Sequence, residues 1–214
     1  MNETLYNRCR EKGIITGHVA EVGVYYPETS NILKFINDGI RATLIEPDPI
    51  CISKIEEYFK DFALVKILPY AIFDEKGPIK LYRTNASTFV SSLKASPALI
   101  NDKYMPDEKD SFIADAIRFD DIDDSSIDLL SIDTEGCEWY VIKFMKSRPQ
   151  VISIETQGKK YTNPFITEIL NWMETNGYKI WYRQRSDTVF IKNEIPINFW
   201  EMLKYKIKYL FRFG

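Results

Sequence analysis

The chain has 214 residues, 45% of them apolar and 28% charged, with a formal charge of −3. That length suits one domain with a substantial core, and the acidic balance argues against nucleic acid as a main partner. No apolar run approaches the roughly 18 residues that span a bilayer, and MNETLYNRCREKG lacks the apolar stretch of a signal peptide. Cys9, Cys51 and Cys137 are too few and too scattered for a disulfide framework or a zinc site, so a cytoplasmic, reduced protein is expected.

Residues 2–12 read as a short helix and Ile14 to Val22 as the first strand. Glu28 to Asp38 carries Ile32, Leu33, Phe35 and Ile36 on one helical face, closed by Gly39. Arg41 to Ile45 is the second strand. Asp48-Pro49 then starts a helix that buries Ile52, Ile55, Tyr58 and Phe59. Leu64 to Ile72 reads as a third strand, Asp74 to Gly77 as a turn, and Ile79 to Arg83 as an extra hairpin strand. Asn85 to Asp110 is the least regular stretch, and a connection of that length is disordered or functional.

Strand pattern resumes over Phe112 to Phe119. Ile127 to Asp133 is an apolar run ending on a carboxylate, as in a central strand buried on both faces. A helix follows over Thr134 to Met145, and Gln150 to Ile154 is another strand, ending on Glu155. Asn163-Pro164 and Asn176-Gly177 bound a further helix. Tyr178 to Gln184 and Thr188 to Lys192 read as an antiparallel pair joined by a turn at 185–187. The alternation predicts an α/β fold: a doubly wound, mostly parallel sheet with one reversed strand near its edge. The expected core covers 13–195 within a single domain spanning 1–214.

In such a sheet, ligands bind outside the carboxyl ends of the strands. That rim holds Glu21 to Tyr26, Glu46, Tyr70 to Ile72, Asp133 to Glu138 and Glu155 to Gln157. Carboxylates there also serve as plain helix caps, but Gly23 and Glu46 stand in the register of a nucleotide-binding βαβ unit. An acid ending the second strand suits a ribose diol. The first loop offers Gly23 but no G-x-G-x-x-G, which disfavours a nicotinamide dinucleotide. A cofactor with a ribose and no phosphate fits better, and the sulfonium of S-adenosylmethionine suits an acidic rim.

The series E-x-G at 21–23, Ile45-Glu46-Pro47, Tyr70 to Gly77, Ser91-Ser92-Leu93, Phe119 to Ile122, Ile127 to Glu138 (IDLLSIDTEGCE) and Ile154-Glu155 resembles the FkbM family of S-adenosylmethionine-dependent methyltransferases. The resemblance covers about residues 18–157, and its most specific piece is iDllxiDxEGxE. It implies a seven-stranded Rossmann-like class I methyltransferase fold and O-methylation of a sugar or natural-product hydroxyl. The first loop departs from the family pattern, with Glu21 for Asp, Tyr25 where Asn is common and Pro27 where Gly is common. Proline removes a backbone donor there, while Thr29 and Ser30 keep the end of the pattern.

Under this resemblance Glu21, Gly23 and Tyr25 line the methionine end, with the Ser30 hydroxyl available to an anion. Glu46, followed by Pro47, holds the ribose. Tyr70, Ala71 and Ile72 border the adenine. Asp133, Glu135 and Glu155 face the transferring methyl and the acceptor, with Asp133 the first choice of base. His18 starts the first strand, at the wrong end of the sheet for catalysis, and reads as structural. The same acids also suit Mg²⁺ or Mn²⁺; sequence does not separate base from ligand, and the metal-free reading is preferred.

The expected acceptor is a carbohydrate, admitted under a lid formed by 85–110, with Phe89, Tyr104 and Tyr161 available to stack on a sugar face. A non-sugar natural product and a catalytically silent cofactor- or glycan-binding module are the alternatives. The segment 198–214 is basic and aromatic, +3 against −6 for the remainder. It is expected to form a helix that packs on the body, mediates a homodimer contact, or lies on a membrane surface.

Overall fold

The computed structural model describes residues 3–84, 87–93, 95–198 and 201. Its elements are, in order, α1 (Glu3–Lys12), β1 (His18–Val22), α2 (Leu33–Asn37), β2 (Arg41–Ile45), α3 (Pro49–Phe59), β3 (Val65–Leu68), β4 (Ala71–Ile72), β5 (Gly77–Arg83), β6 (Thr88–Val90) and α4 (Pro97–Ile100). There follow β7 (Ser111–Ile117), β8 (Leu129–Ile132), α5 (Glu138–Lys143), β9 (Val151–Glu155), α6 (Ile166–Thr175), β10 (Tyr178–Gln184) and β11 (Asp187–Lys192).

The main sheet has seven strands in the order β10-β11-β9-β8-β1-β2-β3. All pairings are parallel except those of β11, which runs against both neighbours. This is the mostly parallel sheet with one reversed strand that the alternation predicted. β1, β8 and β9 are buried along their whole length, because helices cover both faces. Leu5, Phe35, Ile55 and Trp181 pack with Val19, Leu129 and Val151 on one face. Val141, Ile142, Ile169 and Met173 pack with Ala20, Leu130 and Ile152 on the other. Alternate residues of each strand thus feed two separate cores.

A second, four-stranded sheet stands beside the first in the order β4-β7-β5-β6. The third strand, expected to run from 64 to 72, divides at Pro69-Tyr70. Proline has no N–H to continue the ladder, so β3 stays at the main edge while β4 crosses to pair with β7. The stretch expected as a lid, 85–110, contributes β6 and α4, and β6 joins the hairpin strand β5. Arg83 of β5 fixes this sheet to the end of β2. Its Nη2 donates to Asp48 Oδ1 at 2.8 Å and its Nε to Oδ2, and Asp48 is fully buried at the N-cap of α3.

Two helices are shorter than their apolar patterns. In the 28–38 stretch only 33–37 is α-helical, after a 3₁₀ turn at 27–29. Glu21 claims the amide of Asn31 and the hydroxyl of Ser30, and these side-chain bonds compete with a continuous helix. After β8, Glu135 (φ 56°) and Gly136 (φ 112°) are left-handed, which delays α5 to Glu138. Of the basic aromatic tail, Asn198 and Glu201 are described. They bond each other's backbone N–H, and Glu201 takes Lys12 Nζ at 2.7 Å and the Trp181 indole at 3.3 Å. The tail residues Phe199, Trp200 and 202–214 lie outside the described residues.

Candidate active site

A cavity of about 500 Å³ opens at the carboxyl ends of β1, β2 and β8, between the main sheet and the second one. That size suits a cofactor or a drug-sized ligand. Of the positions expected from sequence, Glu21, Gly23, Tyr25, Glu46, Pro47, Tyr70, Ala71, Ile72, Asp133 and Glu135 line it. Ser30 and Glu155 do not. The Ser30 hydroxyl is spent on Glu21, and Glu155 is buried behind the lining at 8% exposure.

Gly23 follows β1 with φ 83°, and a Cβ there would lie 1.7 Å from the carbonyl oxygen of Asp133. The close approach this glycine permits is therefore to the chain's own backbone where β8 ends. The next residues turn under Glu46, whose Oε2 accepts from Val24 N at 3.1 Å and Tyr25 N at 2.8 Å, while Oε1 accepts from Asp48 N at 3.0 Å. A carboxylate has about four acceptor positions, so one remains for a ligand hydroxyl. Burial raises the proton affinity of Glu46, and the three amides oppose that rise. Tyr25 and Tyr26 lie with ring centroids 4.1 Å apart, and Lys54 Nζ sits 3.9 Å over Tyr26.

Strand register explains the acidic rim. Glu21 pairs with Ser131, Ser131 with Ser153, and Ser153 with Val189. Asp133, Glu155 and Asp187 stand two residues closer to the rim, and hence share one face with Glu21. Glu155 and Asp187 are directly opposite each other across the antiparallel pair, an unfavourable placement for like charges. Burial pushes Glu21 up to about 7, Glu135 to about 7, Asp187 to about 6 and Glu155 to about 9. Burial and the fields of Glu155, Glu135, Asp187 and Glu138 raise Asp133 as well. Asp133, Glu135 and Glu155 titrate together as one set.

Sequence reasoning missed several lining residues. Arg185 and Ser186 come from the β10–β11 turn, and Asp187 from the first position of β11, where the turn was expected to extend through 187. The alternation Asp187, Val189, Ile191 was the available signal that Asp187 belongs to the strand and its core-side face. Ser87, Thr88 and Val90 arrive with β6, foreshadowed only by the short β-forming run Thr-Phe-Val around Phe89, the one residue of this strand expected at the acceptor side. Asn31 also lines the cavity and donates from Nδ2 to Ser131 at 3.1 Å; nothing local marked it. Phe89 lines the cavity with Tyr104 edge-on behind it at 5.8 Å, whereas Tyr161 is buried. His18 lies at the far end of β1, bonded to Ser126 and Thr43 at 2.9 Å each.

Five described non-glycine residues have positive φ, and three of them line the cavity: Tyr25 (59°), Glu135 (56°) and Arg185 (52°). Sparse backbone conformations gather at functional sites because the surroundings must hold them there.

The profile of the FkbM methyltransferase domain matches residues 18–180. The chain belongs to the FkbM methyltransferase family. Its cofactor is accordingly S-adenosylmethionine, as the ribose-without-phosphate reading anticipated. The acidic lining of this FkbM methyltransferase fits the positive charges of that cofactor, and Glu46 retains an acceptor position for a ribose hydroxyl.

Among solved structures, a Staphylococcus aureus protein assigned as a caffeoyl-CoA O-methyltransferase is similar at TM-score 0.52 and 12% identity, over 89% of this chain and 81% of that one. A Pyrococcus horikoshii protein assigned as an RNA methyltransferase gives 0.48 and 12%, over 89% and 82%. The M. jannaschii protein TYW2, solved with AdoMet, gives 0.41 and 13%, over 90% and 77%. The S. aureus structure shares the fold. No curated protein matches the FkbM methyltransferase sequence significantly.

Proposed function

We propose that this FkbM methyltransferase transfers a methyl group from S-adenosylmethionine to a hydroxyl of a carbohydrate. The observation that carries the reading is the group of carboxylates Asp133, Glu135 and Asp187 lining the cavity at the ends of β8 and β11. A hydroxyl must shed its proton as the new carbon–oxygen bond forms, and a carboxylate with raised proton affinity is a stronger base than an ordinary one. Carboxylates also accept from sugar hydroxyls, which favours a polyhydroxylated acceptor over an apolar one. When bound, the cofactor would supply an activated methyl group on a sulfonium, whose methyl–sulfur bond breaks as the carbon–oxygen bond forms, with neutral S-adenosylhomocysteine as the leaving product.

The chain's own part is binding, alignment and proton removal. Glu46 holds the ribose, Tyr70, Ala71 and Ile72 border the adenine, and Glu21, Gly23 and Tyr25 bound the methionine end. Ser30 acts through Glu21. Asp133 takes the acceptor proton, Glu135 orients the acceptor, and Glu155 raises the proton affinity of Asp133 from behind. Asp187, Phe89 and Thr88, which also line the cavity, extend the acceptor wall.

Transfer from labelled S-adenosylmethionine to a panel of monosaccharide glycosides, each lacking one hydroxyl, tests the reading. One deoxy analogue is expected to lose all incorporation. Asp133→Asn is expected to lower kcat by about 100-fold or more, with cofactor Kd within about twofold. Full activity in Asp133→Asn would remove it as the base, and transfer only to nitrogen or carbon acceptors would overturn the proposed function.

A further inference from the structure

We propose that Asp133, Glu138 and Glu155 form a binding site for one hard divalent cation, with the Tyr161 hydroxyl beside it. Each of the three acids offers an oxygen, and these oxygens lie within 4.8 Å of one another. Opposed oxygens about a Ca²⁺ ion are about 4.6–5.2 Å apart, and about a Mg²⁺ ion about 4.0–4.2 Å, so small side-chain rotations close the shell. All-oxygen donors select Mg²⁺, Ca²⁺ or Mn²⁺ over softer metals.

Acidic crowding alone would be answered by protons. Two buried oxygens indicate more. Oε2 of Glu155 has no hydrogen-bond partner among the described residues, and the residue is 8% exposed. The Tyr161 hydroxyl is likewise without a partner in a residue 2% exposed. It lies in the fields of Glu138, Glu155 and Glu135 and 3.5 Å from where a Cβ on Gly136 would sit. Leaving such atoms bare costs on the order of 1–3 kcal/mol each, a cost that a ligand removes.

Glu138 is already set as a ligand would be. Its Oε1 accepts from Thr134 N at 2.9 Å and Gly136 N at 3.1 Å, and its Oε2 accepts from Asn163 Nδ2. These donors orient the carboxylate, in the manner of the outer partners that aim metal ligands. Asp133, on the cavity wall, gives the cation access to solvent and acceptor. With two oxygens, Asp133 ligates through one and receives the acceptor proton on the other. The cation lowers the proton affinity of a hydroxyl placed against it. This catalytic consequence rests on the hydroxyl-acceptor reading above, whereas the site itself rests on the carboxylate geometry.

The test is titration of the metal-free protein with Mn²⁺, read by the loss of free-ion electron paramagnetic resonance signal, in the absence of S-adenosylmethionine. One ion per chain is expected with Kd below about 1 mM, displaced by excess Mg²⁺ or Ca²⁺. Glu155→Gln and Asp133→Asn should each weaken binding at least tenfold, and Tyr161→Phe about threefold, while Glu168→Gln on the exposed face of α6 leaves it unchanged. Circular dichroism confirms folding, and Asp133→Asn, on the cavity wall, serves if Glu155→Gln does not fold. No binding at 10 mM Mn²⁺, or unaltered binding in the folded variants, overturns the site. Mn²⁺ binding without methylation of any hydroxyl sinks the acceptor reading and leaves the site standing. Sugar methylation that survives chelation, in a protein that takes up no Mn²⁺, does the reverse.

Discussion

Gly23 shows how one residue decides whether the two halves of the site meet. Alanine there would place a methyl group 1.7 Å from the Asp133 carbonyl oxygen and force a side chain into φ 83°. Neither partner is a flexible side chain, so the strands must separate. Gly23→Ala is expected to cost about 3 kcal/mol or more, seen as an earlier midpoint in urea unfolding. An unfolding free energy within about 0.5 kcal/mol of the parent would refute the contact. Glu46 was legible because an acid ending a second strand is a local pattern. The fate of Ser30 was not, because it depends on Glu21, nine positions earlier, reaching that hydroxyl.

At the level of elements, the second sheet depends on Arg83. Asp48 is fully buried, and without the guanidinium its charge keeps the Ile50 amide and a 3.4 Å contact from the Thr88 hydroxyl. The Arg83 side chain is 31% exposed, so the loss is discounted from that of a fully buried pair. Arg83→Ala should therefore cost about 2 kcal/mol and act locally. Hydrogen exchange should rise in β5 and β6 before β1 and β8, and uniform acceleration through both sheets would contradict this. The main sheet was readable from sequence because its strands carry their own apolar runs and several helices their own end signals, as at Gly39, Asp48-Pro49 and Asn176-Gly177. The second sheet was not, since β4 and β6 are only two and three residues long, and β4 owes its form to pairing with β7, about 45 residues further on.

Across the whole molecule, the buried acids set the response to pH. Glu21, Glu135, Asp187 and Glu155 bind protons more tightly folded than unfolded, with folded values of about 7, 7, 6 and 9. Their contribution to stability is fully present below the unfolded carboxylate values near 4 and is lost as pH rises through 6 to 9. The cofactor-free protein should thus melt lower at pH 9 than at pH 5, by about 5 °C or more, read by differential scanning calorimetry. A melting temperature that rises over this interval would contradict the burial of these groups. Tyr25, Glu135 and Arg185, each held left-handed at the cavity, carry a cost of order 1 kcal/mol apiece that glycine would relieve. Propagated under heat challenge alone, with turnover unmonitored, a library of this chain should accumulate glycine at 25, 135 and 185, growing hardier as it forgets its chemistry.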